Sequence, residues 1–446
     1  MTKQQHYKTT IKLALPVIIG QLGQIMVSVA DSIMVGQLGT IPLAAAAFAN
    51  SIFIVVLVFG MGLAYGLTPL VATAAGMNRK HIQGVLLRQS FYLNILVALA
   101  LTGIMLGSIP IFPFLGQEQE VIEQAKNYYL ILSATILPIM LYLAFKQFAE
   151  GLADTKNAMI ISIACNIVNV GLNYILIYGH MGFPRLELEG AGIATFIARV
   201  LMLVLMAYYV LKAKKFNVYQ LSLKFQKARK KVLRKILSVG VPTGLQYLFE
   251  ISAFSIAAIL AGMISAEALA AHQIAINIAS VTYMAASGLG AAATVRVGNQ
   301  VGVGDSKNLK LASGSIFRLS IGWMAFAGLI IFLFKEELAG FYSNDPAVLE
   351  LAVKMLIVTV FFQLSDGVQV VALGALRGFT DVKIPTLITF VSYWVIALPA
   401  AYIMSQLMEI GALGIWYALA GGLTISAFLL VIRYNGELKR FALRSV

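Results

Sequence analysis

Residues 13–36 read LALPVIIGQLGQIMVSVADSIMVG, and residues 239–262 read VGVPTGLQYLFEISAFSIAAILAG. Each is an apolar run long enough to cross about 30 Å of hydrocarbon. Each opens near a proline (Pro16, Pro242), closes on a glycine (Gly36, Gly262) and carries one acid (Asp31, Glu250). The prolines and glycines stand 226 positions apart. A carboxylate at the bilayer centre costs about 2.5–3.5 kcal/mol on insertion scales, so a helix that only had to span would not carry one. With Asp366, these are the three acids that lie inside long apolar stretches of the chain, and they mark a pathway for ions, protons or cationic substrate.

Working outward, the same 226 spacing relates Leu43 to Leu269, Gly62 to Gly288, Thr68 to Thr294 and Gly76 to Gly302. Gly151-Leu-Ala-Asp154-Thr-Lys156 answers Gly378-Phe-Thr-Asp381-Val-Lys383 at 227. The chain is therefore a duplication. Two copies in one orientation imply a pseudo-twofold axis along the membrane normal. The ionisable equipment is not duplicated, because Glu250 answers Gln24 and Asp31 answers Ala257.

The chain has 446 residues, 60% hydrophobic and 12% charged. A soluble domain has about 45–50% apolar and about 25% charged residues. The expected class is all-α and polytopic, with twelve transmembrane helices in two six-helix bundles. Spans are expected at 13–36, 46–75, 85–108, 125–147, 158–179, 190–211, 236–262, 268–297, 311–334, 348–375, 384–405 and 411–432. The two bundles are assigned to 1–211 and 236–446. The single Cys165 excludes an internal disulfide, and no cleavable signal is evident.

A net charge of +14 raises the question of nucleic acid, but its distribution favours membrane topology. Of 33 Lys plus Arg, 28 fall on the side shared by the termini, ten of them in the 212–235 linker. Both termini and the linker are expected to be cytoplasmic. The linker is read as the topology determinant, with anionic lipid headgroups as an alternative partner.

Polar residues share helix faces. Gln21, Gln24, Ser28 and Asp31 form one stripe, Thr243, Gln246 and Glu250 a second, and Thr359, Gln363 and Asp366 a third. Such faces must look into protein or water. Hydrogen bonding between packed helices explains the Gln and Ser positions as well as a ligand role does. It does not explain the carboxylates, since Asn or Gln would serve without a charge. Asn169 and Asn173 lie one turn apart, with Thr195 in the next span. With a carboxylate in the same half, these hard oxygens make a cage suited to a small alkali cation, Na⁺.

Gln273, Asn277 and Ser280 form a further stripe, read as packing or cavity lining. His272 could titrate near neutral pH and is a substrate-cavity candidate, but a packed or interfacial histidine explains it better. Arg199 admits two readings, pairing with an oxygen or snorkelling into an aqueous cavity. The glycines at 298–304 lack the Lys and Ser/Thr of a phosphate loop. No catalytic triad or metal-binding His/Cys cluster is present in the sequence, so a membrane enzyme or receptor is disfavoured. A lipid-linked precursor flippase should show a basic cavity, whereas the inventory here is three acids to one clear arginine. The loop at Gly76-Met-Asn-Arg-Lys80 replaces the signature of the major facilitator fold.

These motifs resemble the multidrug and toxic compound extrusion (MATE) family, and within it the bacterial NorM branch. The resemblance is carried by Pro16–Gln21 leading to Asp31–Gly39, by Gly240–Gln246 with Glu250, by Ala270–Gln273, and by Asp366 with Gly374–Gly378. It covers residues 10–435 or so. It implies two six-helix lobes and export of cationic or amphiphilic small molecules against a Na⁺ or H⁺ gradient, without a cofactor. Asp31, Asn169, Asn173 and Thr195 match the family's cation site in the first lobe, and Glu250 and Asp366 match acidic positions of the second. Gln21, Gln24, Gln246, His272, Gln273, Asn277 and Gln363 are the cavity candidates. The expected protein is a monomer in the bacterial inner membrane, with small-molecule and lipid partners and no nucleic acid.

Overall fold

A computed structural model of the chain describes residues 2–219, 221 and 228–444. Among the described residues there is no strand, and twelve helices are long and apolar enough to span a membrane. The first six are α1 (Lys3–Gly36), α2 (Thr40–Gly76), α3 (Lys80–Leu115), α4 (Gln119–Gly151), α5 (Thr155–Tyr178) and α6 (Glu187–Lys212). The second six are α7 (Lys230–Ile264), α8 (Ala266–Val303), α9 (Ser306–Leu333), α10 (Pro346–Gly378), α11 (Lys383–Leu407) and α12 (Ala412–Arg444). Several run past the apolar cores read from sequence, because a helix continues into the interfacial layers where charged residues meet water. Of the basic linker expected at 212–235, residues 220 and 222–227 lie outside the described residues.

Local chemistry breaks several helices. α2 is interrupted at Gly66, and α4 changes direction at Thr135, three residues before Pro138 removes an amide donor. α11 contains two π-helical segments, Val391–Ala397 and Ile403–Leu407.

The helices form two compact units, Ile19–Gly244 and Met1–Ile18 with Leu245–Val446. Both α1 and α7 thus begin in one unit and continue in the other. The glycines show why. A Cβ on Gly62 would stand 2.6 Å from Gly244 Cα, and one on Gly66 would stand 2.6 Å from Gly240 Cα. In the repeat-related place, a Cβ on Gly288 would meet Ile18 N at 3.1 Å and Ala14 O at 3.2 Å. Membrane helices associate through small residues that admit close backbone approach, and both copies use this device to seat the start of a neighbouring repeat's helix.

Polar bonds secure the seat of α1 on α8. Arg296 of α8 donates to the His6 carbonyl at 2.7 Å, to Thr10 Oγ1, and to His6 Nδ1 at 2.5 Å. A guanidinium only donates, so Nδ1 accepts and Nε2 carries the proton given to Asn308 Oδ1 at 3.0 Å.

The duplicated turn is visible in three dimensions. Ala153 (φ 64°) and Thr380 (φ 60°) both take the left-handed conformation. The following acids then bind basic side chains of their own unit: Asp154 accepts from Lys215 and Asp381 from Arg433, each at 2.7 Å.

Candidate functional site

In the unit Ile19–Gly244, Asp31 faces α5. Asn173 donates from Nδ2 to Asp31 Oδ1 at 2.5 Å. Asn169, one turn earlier, satisfies its neighbours when its Nδ2 donates to the same oxygen at 3.3 Å and its Oδ1 accepts from the Thr195 amide at 3.3 Å. The expected quartet is therefore one cluster, with Thr195 entering through its backbone. Asn169 and Asn173 are buried, Asp31 and Thr195 half-buried. Asn173 Oδ1 is buried with no partner. Tyr178, five residues beyond, donates to Met34 O at 3.0 Å and to Gln37 Oε1 at 2.7 Å, which fixes α1 against α5.

Both contacts on the carboxylate are amide donors. Turning each carboxamide by half a rotation exchanges donor for oxygen, and Asp31, Asn169 and Asn173 then present only oxygens. Sodium takes such hard ligands, so the donor set fits an alkali cation as well as it fits a bare carboxylate.

Arg199, which the sequence leaves open between two readings, donates to Thr135 Oγ1 and lies over the Phe53 ring, 5.0 Å from its centroid. It is paired with a hydroxyl at the break of α4 and with an aromatic face. No ion pair within 4.0 Å ties it to Asp31 among the described residues.

In the other unit, Glu250 of α7 and Asp366 of α10 are both 6% exposed. Gln369, three residues after Asp366 and on its face, donates from Nε2 to Glu250 Oε1 at 3.4 Å and to Tyr393 Oη at 3.2 Å. Tyr393 projects from the first π-helical segment, a distortion common at functional sites. Arg377 closes the cluster, donating to Gln246 Oε1 at 3.2 Å and Tyr247 Oη at 3.1 Å and covering the Tyr247 ring at 4.9 Å. Its charge acts on Glu250, and Glu250 in turn acts on Asp366. This is a buried, crowded site with two carboxyl groups and one guanidinium beside them.

The remaining candidates separate by burial. Gln363 is 1% exposed and donates to the Met324 carbonyl at 3.2 Å, while Thr359 bonds within its own helix. His272 is buried with its ring 5.8 Å from Trp416. Gln273 and Asn277 lie on the exposed side of α8. Gln24 is exposed and Gln21 half-buried.

The sequence reading leaves Arg377 out of the acidic cluster. α10 runs to Gly378, three residues past the apolar run, and carries Arg377 on the face of the acids. Sequence spacing held a signal for Gln369, three residues from Asp366. It held none for Tyr393, whose position depends on the π-helical shift of α11, nor for Thr135 as the partner of Arg199.

The MatE family model matches residues 16–175 and 242–403. The chain is 34% identical over 435 residues to the probable multidrug resistance protein NorM of Brucella suis, covering 96% of this chain and 92% of that one. It is 32% identical over 425 residues to the multidrug resistance protein NorM of Vibrio cholerae, covering 94% and 93%. Among solved structures it is similar in fold to the eukaryotic MATE transporter AtDTX14, at a TM-score of 0.89 with 19% identity over 100% of both chains. An outward-facing multidrug resistance MATE transporter superposes at 0.90 with 21% identity, covering 98% of this chain and 97% of that one. A chain with twelve spanning helices and a matching model over both repeats is a multi-pass membrane protein and not an enzyme; it belongs to the MatE family of transporters.

Proposed function

We propose that this protein is a multidrug exporter that exchanges cationic or amphiphilic small molecules for Na⁺ by alternating access. The relatives named as multidrug resistance proteins support the substrate class. The observation that carries the coupling is Asp31, a membrane carboxylate met by two carboxamides and by no basic group within 4.0 Å among the described residues. A negative charge with reversible neutral partners can bind and release a cation, whereas one locked to an arginine cannot.

In this mechanism the carboxamides of Asn169 and Asn173 stabilise the free carboxylate by donating to it. They rotate to offer oxygens when Na⁺ arrives, with the Asp31 charge balancing the ion. Glu250 and Asp366 give the other unit its negative potential and attract the cationic end of the drug, while Arg377 limits that potential. Gln24 in one unit, and Gln273 and Asn277 in the other, are exposed on polar faces and offer each unit's contacts to the compound. The two sequence halves, 1–211 and 236–446, rock about the pseudo-twofold axis, the basic linker and both termini facing the cytoplasm across the inner membrane.

Efflux from proteoliposomes is the test. With pH clamped, an inward Na⁺ gradient is expected to drive export of an ethidium-like cation. Transport that follows the pH gradient, ignores Na⁺ and survives Asn173→Ala identifies a proton antiporter instead.

A further inference from the structure

Away from the acids, a cavity of about 520 Å³ opens in the unit that contains Met1–Ile18, bounded by α1, α9 and α12. Its size falls within the roughly 300–1,000 Å³ of small-molecule sites. Four cations surround it: Lys3 of α1 with Lys307, Lys310 and Arg318 of α9. Its walls are apolar, with Leu311, Phe317, Val431 and Leu438 among them.

None of the four cations takes part in an ion pair among the described residues. The acids nearest in sequence are engaged elsewhere. Asp305 accepts from the Asn308 amide and side chain, and Glu437 pairs with Arg433 and Arg440. Arg318 is held by the Gly314 carbonyl at 2.9 Å and lies 5.6 Å from the Tyr7 ring, so its charge is oriented but not neutralised. A positive rim on greasy walls at a helix-end layer is the chemistry of an anionic amphiphile. A free oxyanion would use the rim and gain nothing from Phe317 or Leu438.

We propose that this cavity binds the headgroup of an anionic phospholipid, its phosphate among Lys307, Lys310 and Arg318 and its acyl chains along the apolar wall. Because Lys3 stands on the same rim, the bound lipid bridges the start of α1 to α9 and α12. The site is separate from the acids and holds whatever the transported compound and coupling ion prove to be.

Thermal unfolding and native mass spectrometry of the full chain in detergent test it, with phosphatidylglycerol, phosphatidylcholine or inorganic phosphate added. Phosphatidylglycerol is expected to raise the melting temperature and leave a bound adduct; the other two are not. Lys307→Gln with Lys310→Gln should weaken phosphatidylglycerol binding about fivefold per charge removed. Lys230→Gln with Lys231→Gln, in the first turn of α7, should leave it unchanged. An equal response to phosphatidylcholine, an equal response to inorganic phosphate, or full binding by the Lys307/Lys310 variant would each overturn the proposal.

Discussion

Asp31 and Glu250 sit on the first helix of each repeat, yet they answer different needs. Seven residues separate Glu250 from Ala257, the repeat partner of Asp31, which places the two acids about 10 Å apart in register along the helix axis. Ala257 is wholly buried in an apolar cluster with Ala253, Leu260 and Ala275. Asp31 is half-exposed among neutral carboxamides, whereas Glu250 is nearly sealed beside a second carboxylate, a tyrosine, a glutamine and an arginine. Duplication preserved the helices and their glycine seats while the charges moved. One unit received a single charge with reversible partners, and the other a concentrated, partly compensated field.

Asp31→Asn should have the largest effect on this contrast. Export and drug resistance are expected to fall to the level of cells without the protein, while the amount in the membrane stays normal. Wild-type resistance in that variant, measured as growth inhibition, would end the coupling role. Next come Glu250→Gln and Asp366→Asn. Each removes one of two neighbouring buried acids whose ionisation burial opposes, so each should reduce export of cations yet raise the melting temperature in detergent by a few degrees. A fall in melting temperature would show that the pair is held together by something other than tolerated repulsion.

Asn173→Ala is a smaller perturbation. It takes one oxygen ligand from the ion-bound state, so the Na⁺ concentration for half-maximal transport should rise about tenfold, the equivalent of about 1.4 kcal/mol. An unchanged Na⁺ dependence would remove Asn173 from the cage. The least consequential change should be His272→Phe. His272 packs on Trp416 and its Nδ1 has no partner, so replacing it by an apolar ring should leave transport within about twofold. A greater loss of efflux would place His272 on the transport route.

Much of this was legible in the sequence for physical reasons. A membrane forces each span to satisfy its own backbone, so hydropathy exposes all twelve. A carboxylate in such a span is costly enough to stand out singly. Asn169 and Asn173 share a face through helical periodicity alone, and the structure brings both to Asp31. Arg377 escaped because hydropathy assigns a charge in a helix's last turn to the interface, although the side chain reaches back to Gln246. Tyr393 escaped because a π-helical turn rotates its face away from the 3.6-residue period. The exchange of the first turns of α1 and α7 between units escaped because nothing local encodes it. A glycine at 62 or 288 signals close approach but does not name the partner.

That exchange bears on how such a chain can be divided or built. A six-span fragment ending before α7 would keep the glycine face of α2 but lack Gly240 and Gly244, which fill it. The complementary fragment would lack the strand of contacts that His6, Thr10 and Ile18 bring to α8. Neither half is a finished folding unit during synthesis. The ribosome must release residues beyond 244 before the first-made helices have their last neighbour, and the opening eighteen residues must wait for α8 to emerge. Assembly order is thereby written into two pairs of glycine contacts.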